Sequence, residues 1–123
     1  MFRLTAAVIF LFFSTNLYLF AQEYHLSDKA KTNLLFCIQH ENDGVRSSGV
    51  HYVGKYKVEE AIPLLCKILK EDKNLRIRKL AAYSLFRMND SKGLFAIEEA
   101  LRFNDNKEVR LFCSTIFEIS LRE

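Results

Sequence analysis

Three stretches of this 123-residue sequence share the pattern Asn-x-x-(Val or Ile)-Arg, and they occupy residues 42–46, 74–78 and 106–110. Each stretch begins 32 residues after the one before it. The same register holds beyond the pattern at two further positions, one for a small residue (Gly49, Ala81, Cys113) and one for a large apolar residue (Val53, Leu85, Phe117). Self-similarity at a period of this size is typical of solenoid proteins, so the chain is treated first as a repeat.

Each repeat predicts two helices. After Val45 and after Ile77, apolar or small residues recur every three or four positions, which is the spacing of one helical face. The asparagine that opens each pattern is predicted to cap the first helix, because its side-chain oxygen can accept a hydrogen bond from a free backbone N–H. These caps are Asn42, Asn74 and Asn106.

The second helix of the first repeat is predicted from Glu59 to Lys70, with acids at its positive end and Pro63 in its first turn. Asp90 or Ser91 caps the corresponding helix one repeat later, and residues 27–40 predict an earlier helix capped by Ser27. No alternating strand pattern of useful length is present. The predicted fold class is therefore all-α: a short α-solenoid of about six helices, stacked as antiparallel pairs.

Residues 53–65 (VGKYKVEEAIPLL) resemble the Leu-Gly-x(n)-Ala-Ile-Pro-x-Leu signature of the short HEAT repeats first noted in phycobilin lyases. Residues 105–110 (DNKEVR) resemble the Asp-x-x-x-Val-Arg helix start of the same family. The resemblance covers residues 42–120 and implies that the repeated arginines brace the turns between neighbouring repeats. These arginines are Arg46, Arg78 and Arg110. The chain departs from the family at Gly49, where alanine is usual, and the later copies lack the glycine after the first helix.

The arginine ladder has a competing interpretation as a stripe that binds anions or nucleic acid. Nucleic-acid solenoids need a strongly basic face. This chain carries 18 basic and 15 acidic residues, a net charge of +3. We therefore expect no nucleic-acid partner.

The first 21 residues differ from the rest of the chain. They hold one charge, Arg3, followed by the apolar run Leu4–Phe13, a polar interruption at 14–16, and a second apolar run that ends at Ala21. This is the pattern of a secretory signal cleaved after Ala21. The alternative is an uncleaved membrane anchor formed by residues 4–21. The division is thus a signal at 1–21 and a repeat domain at 22–123, exported to the periplasm or outside the cell.

Cysteine and histidine positions give no metal site. Cys37 and His40 share a helical face, but no further pair with the spacing of zinc ligands completes a set of four. A Cys37–Cys66 disulfide is an alternative in an oxidising compartment. Three small core thiols are the simpler explanation.

Catalytic motifs are likewise missing from the sequence. Glu59-Glu60 and Glu98-Glu99 are adjacent acids on one helix, whereas paired catalytic carboxylates are separated across a cleft. There is no glycine-rich phosphate loop, no nucleophile elbow and no cofactor fingerprint. We expect no enzyme activity and no cofactor.

The expected function is a non-enzymatic scaffold that binds a protein partner. Its candidate surface combines charged residues of the second helices (Glu60, Lys67, Glu99, Arg102) with the wide apolar arc of the last helix (Phe112, Ile116, Ile119). Because solenoid ends normally carry a polar cap, that arc also predicts self-association through the C-terminal helix. Phe95 and Phe103 form an alternative groove on the second helices. The competing function is a lyase-like enzyme or accessory that handles a small ligand.

Overall fold

The computed structural model describes residues 25–122, and the predicted signal at 1–21 lies outside them. The described part of the chain is all-α, as predicted, with six α-helices and no strand. A 3₁₀ turn at Glu59–Ala61 precedes the third helix. The helices are α1 (Asp28–Cys37), α2 (Asp43–Lys55), α3 (Ile62–Glu71), α4 (Leu75–Met88), α5 (Ser91–Phe103) and α6 (Lys107–Ser120).

The helix starts follow from side-chain caps. Asn42 accepts a hydrogen bond from the backbone N–H of Val45, and Asn74 and Asn106 cap α4 and α6 in the same way. Ser27 caps α1 and Asp90 caps α5. Each such cap is worth about 1 kcal/mol because it satisfies a backbone donor that the helix leaves free.

Two boundaries differ from the prediction. Helix α1 ends at Cys37 rather than at residue 40, because the N–H groups of Gln39 and His40 turn back to carbonyls only three residues earlier. The second helix of the first repeat opens as a 3₁₀ turn and becomes α-helical only at Ile62. Pro63 lies in its first turn, where a missing N–H does no harm.

The helices form two layers. The first helices of the repeats, α2, α4 and α6, are called A-helices, and α1, α3 and α5 are called B-helices. Neighbouring A-helices pack on each other, and each B-helix packs on the A-helix that follows it. The core between the layers includes Val53, Leu65, Leu85 and Ile97, each with no exposed surface. Burying one such side chain stabilises the fold by roughly 1.5–3 kcal/mol.

Backbone carbonyls of the B-to-A loops are bound by the three repeated arginines. Arg46 donates from Nη1 to the carbonyl of His40 (2.8 Å), six residues earlier. Arg78 and Arg110 repeat this contact with the carbonyls of Asp72 (2.5 Å) and Asn104 (2.6 Å). Each arginine therefore fixes the loop that leads into its own helix.

Arg46 and Arg78 also reach forward to the next loop. Arg46 binds both carboxylate oxygens of Asp72, with Nε–Oδ2 at 2.6 Å and Nη2–Oδ1 at 3.1 Å. Arg78 donates to Asn104 Oδ1 (3.4 Å) and to the Asp105 carboxylate. The hydrogen bond with Asp72 is the main cause that raises the pKa of Arg46. Because Arg46 and Arg78 are buried and fully engaged inside the repeat stack, they brace neighbouring repeats and are not free to bind an anion.

Asp43 completes the first of these contacts. It accepts hydrogen bonds from Asn74 Nδ2 (2.8 Å) and from Arg46 Nη2 (2.7 Å), so the cap of α4 and the arginine of α2 share one carboxylate. The bond from Asn74, followed by that from Arg46, lowers the pKa of Asp43. No buried side-chain nitrogen or oxygen in residues 25–122 lacks a hydrogen-bond partner.

The described helices were also compared with the requirements of a membrane span. Within residues 25–122, none combines the length and the apolar character needed to cross a bilayer.

Candidate functional site

A cleft of about 420 Å³ separates the B-helices α3 and α5. Its floor is apolar and includes Leu69 and Ala100, which are both buried. Charged side chains and one aromatic ring stand around it: Lys67 and Lys70 from α3, with Glu99 and Phe103 from α5. Phe103 is 77% exposed, more than any other large apolar side chain of the described residues.

Small residues on α5 create this cleft. Ala96 and Ala100 line it from α5, and the positions one repeat earlier are Leu64 and Ile68. Those two larger residues lie against the corresponding gap between α1 and α3, where the cavity is about 360 Å³. Replacing a leucine and an isoleucine by alanine removes side-chain volume at the same register, which leaves more room between α3 and α5.

Asn104 closes one end of the cleft and connects it to the arginine ladder. Its Nδ2 donates to the carbonyl of Leu69 (3.1 Å), and its Oδ1 accepts from Arg78 (3.4 Å) and from the N–H of Asn106 (3.1 Å). One buried amide thus holds the end of α3, the side chain of α4 and the start of α6 together. Because the ladder fixes Asn104, it also fixes the width of the cleft.

The structure divides the predicted second-helix residues. Lys67 and Glu99 line the cleft. Glu60 lies at the start of the α3 segment, where it pairs with Lys31 of α1 (3.6 Å), and Arg102 pairs with Glu98 on its own helix (2.6 Å). Glu60 and Arg102 are exposed but do not line the cleft.

The predicted apolar surface of the last helix needs correction. Ile116 is only 6% exposed and Phe112 packs on the core, so neither side chain presents a free surface. The reason is visible one repeat earlier: Ser84, at the register of Ile116, donates to the carbonyl of Val50 on α2. This face of an A-helix points to the preceding repeat. Ile119 is the member of the set that stays exposed, at 43%.

Several cleft residues were not identified from the sequence. Lys70, Cys66 and Asn104 belong to it, and neither charge pattern nor helical period marks them. Comparison of the repeats could have found Asn104, since it occupies the position of Asp72, the acceptor of the first rung. Of the two phenylalanines proposed as a groove, Phe103 lines the cleft and Phe95 does not.

The cleft offers binding groups rather than a reacting pair. Its lysines donate hydrogen bonds, Glu99 accepts them, and Phe103 provides apolar surface. Among the described residues that line it there is no histidine or serine. No group of three or more metal-ligating side chains lies together in residues 25–122.

The three thiols are unpaired and lie apart in the stack. Cys37 faces α2, where its Cβ would lie 2.8 Å from a Cβ placed on Gly49. Cys66 lines the α3–α5 cleft, on the side of α3 away from α1. The structure therefore does not contain the Cys37–Cys66 disulfide, because the two side chains point to different neighbours.

Burial makes Cys113 the least reactive thiol. It raises the pKa of Cys113 to about 11. A shift of two units lowers the thiolate fraction ~100-fold. We expect iodoacetamide at pH 8 to modify Cys37 and Cys66 of the folded protein first and Cys113 last, as followed by peptide mass spectrometry, with equal rates in urea. Equal rates in the folded protein would contradict the assignment. Since the unfolded thiol ionises at lower pH, this group also makes stability fall as pH rises above about 9.

Comparison with known proteins agrees with this architecture. The profile of HEAT repeats matches residues 26–112. The chain belongs to the HEAT-repeat family. The narrower resemblance to the repeats of phycobilin lyases stays a prediction.

A curated relative of this HEAT-repeat chain is the "Uncharacterized protein in gldA 3'region" of Geobacillus stearothermophilus, which is 32% identical over 66 residues. The match covers 54% of this chain and 31% of the relative, so the chain spans less than a third of that protein. No solved structure gives a significant match.

Proposed function

We propose that this HEAT-repeat protein is an exported scaffold without catalytic activity, and that it binds a segment of a partner protein in the α3–α5 cleft. The observation that carries the proposal is Phe103, an exposed aromatic side chain at the rim of a cleft with an apolar floor. Aromatic side chains that enter or border a desolvated pocket contribute most of the binding energy at many interfaces.

The cleft suits a short peptide segment. An apolar side chain of the partner would occupy the floor beside Ala100 and Phe103, while Lys67, Lys70 and Glu99 are placed to bind polar groups on either side. The rigid ladder supports this use, because a preformed cleft loses little conformational entropy on binding. HEAT solenoids in general present such surfaces between successive repeats.

Export is the second part of the proposal, and it rests on the composition of residues 1–21. These residues have a basic start, an apolar run and a small residue before a polar pair, which is the order of a cleavable signal. Loss of residues 1–21 removes Arg3 and no acid, so 17 basic residues face 15 acidic ones and the net charge becomes +2. A near-neutral chain favours recognition through shape and apolar contact over electrostatic attraction.

Affinity capture from envelope and secreted fractions would test the cleft. The captured partner is then titrated against wild type, Phe103→Ser and Phe95→Ser. We expect Phe103→Ser to weaken binding by about tenfold or more, as loss of an aromatic anchor does. Phe95→Ser is the matched control, because Phe95 is 65% exposed on the same helix but lies outside the cleft. Equal affinity of all three proteins would exclude the cleft, and an equal loss in both variants would move the site to the outer face of α5.

A small-ligand accessory is the second candidate, and the size of the cleft favours it. Ligand pockets commonly enclose about 300–1,000 Å³. The cleft falls in that range at about 420 Å³. Burial raises the pKa of Cys66, however, so the cleft thiol is a poor nucleophile for attaching a ligand. Native mass spectrometry of protein purified from its source would support this candidate if it detects a bound small molecule that Phe103→Ser no longer retains.

A further inference from the structure

The two ends of the described solenoid are the two halves of its internal repeat interface. Residues 25–122 contain the helices in the order B, A, B, A, B, A, so α1 has no A-helix before it and α6 has no B-helix after it. Inside the stack each such neighbour is present. We propose that a second copy of this chain docks head to tail, with α1 and α2 of one copy packing on α6 of the other.

Apolar side chains that are buried in later repeats are exposed at the first end. Val45 and Tyr52 of α2 are 37% and 42% exposed, whereas the equivalent residues Ile77 and Ser84 of α4 are buried against the preceding repeat. Phe36 of α1 is 71% exposed at the position of Ala100, which is buried on α5. This end lacks the polar cap that an isolated solenoid needs. We call it the first face, formed by Phe36, Val45, Tyr52, Lys55 and Glu41.

The opposite end is more polar than the sequence indicated. On α2, Val50 and Gly54 contact Ser84 of the next A-helix. Their equivalents two repeats later are Ser114 and Glu118, so these residues point away from the stack at its far end. Arg110, Phe117 and Leu121 complete the second face, and Leu121 is 72% exposed.

Charge at the two faces is complementary. Arg78 binds the Asp105 carboxylate of the following loop, and one rung later Arg110 has no such carboxylate among the described residues. The residue at the position of Asp105 in the first loop is Glu41, which is exposed and has no ion-pair partner in residues 25–122. Continuation of the repeat across copies therefore places Arg110 of one copy beside Glu41 of the next.

The loop that carries Glu41 already has the required shape. In the two internal loops, the N–H of Asn74 binds Asp72 Oδ1 (2.8 Å) and that of Asn106 binds Asn104 Oδ1 (3.1 Å). In the first loop the N–H of Asn42 binds His40 Nδ1 at 3.0 Å, at the same register. The acceptor loop thus needs no rearrangement to receive the next arginine.

A second complementary pair lies between the A-helices. Lys55 follows Tyr52 by one helical turn on the first face, where its ammonium is 5.8 Å from the centre of the Tyr52 ring. Glu118 of the second face takes the position of Gly54, the residue that meets the Tyr52 equivalent inside the stack. Because the two faces differ, this contact is heterologous and extends into open chains rather than closing as a dimer.

Sedimentation velocity over a range of concentrations tests the proposal on the chain as purified, with its intact mass recording whether residues 1–21 remain. We expect wild type to grow beyond a dimer with concentration. Arg110→Glu and Glu41→Arg should each weaken self-association by more than about tenfold, because both place like charges together. An equimolar mixture of the two variants should associate again, since each then meets an opposite charge. Glu59→Arg, the same change at an exposed site on the opposite edge, should behave as wild type.

Three results would overturn the inference. They are a wild type that stays monomeric at its highest soluble concentration, a dimer that grows no further, and a mixture that stays monomeric although both variants melt as wild type does. If Arg110→Glu does not fold, the pair Glu118→Lys and Lys55→Glu takes its place, because both residues are exposed. The same outcomes then apply.

Discussion

Replacement of Arg46 by alanine is expected to lower the free energy of unfolding by about 3–5 kcal/mol, the usual effect of breaking a buried ion pair. The Arg46 and Asp72 side chains are 7% and 6% exposed. Alanine would leave the Asp72 carboxylate buried without its two guanidinium bonds, and the carbonyls of His40 and Glu41 would lose their donor. Since small domains have a total stability of about 5–15 kcal/mol, this loss approaches the whole.

Urea denaturation followed by circular dichroism would measure the effect, with Arg110→Ala as the matched control. Arg110 is half-buried and keeps one hydrogen bond of the ladder, to the carbonyl of Asn104. Its loss should cost about 1 kcal/mol, as for an ordinary hydrogen bond. If Arg46→Ala is no more destabilising than Arg110→Ala, the forward ion pair does not hold the repeats together.

The fold was predictable because its determinants are local and repeated. Asn42 and its equivalents stand at helix starts, and the apolar period after each of them marks the buried face. The forward contacts of the ladder were not predictable in the same way. Asp72 lies 26 residues after Arg46, and nothing in the local sequence distinguishes it from other exposed acids.

The face of the last helix shows a different limit. Helical period correctly groups Phe112 and Ile116 on one side of α6, but it does not say whether that side meets the preceding repeat or the next one. Only the contact between Ser84 and Val50, at the equivalent register, resolves this. The cleft was missed for a related reason, since Ala96 and Ala100 indicate a gap only when they are compared with Leu64 and Ile68.

Gly54→Ala is the second large effect that we expect, about 1–3 kcal/mol of destabilisation from overpacking. Alanine normally favours a helix over glycine by about 1 kcal/mol, so the sign here is opposite to that of helix propensity. A Cβ on Gly54 would lie 2.5 Å from the Cβ and Oγ of Ser84 and 2.8 Å from its Cα. Helices α2 and α4 would have to separate, which would also lengthen the Ser84–Val50 hydrogen bond of 2.8 Å.

Gly44→Ala is the control on the same helix. A Cβ there meets only the side-chain Oδ1 of Asn42, at 3.2 Å, and the site is exposed. We expect its stability to stay within about 1 kcal/mol of wild type, on the stabilising side if the cap adjusts. Equal destabilisation by the two alanines would mean that loss of a helical glycine, and not the approach of α4, is responsible.

A double-mutant cycle with Ser84→Gly separates the close contact from its surroundings. Ser84→Gly alone should destabilise, because it removes the hydrogen bond to Val50 and places glycine inside α4. In the double variant the atoms nearest to the new methyl group are gone, so the combined loss should be smaller than the sum of the two single losses by at least about 0.5 kcal/mol. Additive losses would show that α2 and α4 do not meet at this point. A favourable coupling would place the tightest helix contact of the stack at a glycine that the later repeats replace with Phe86 and Glu118.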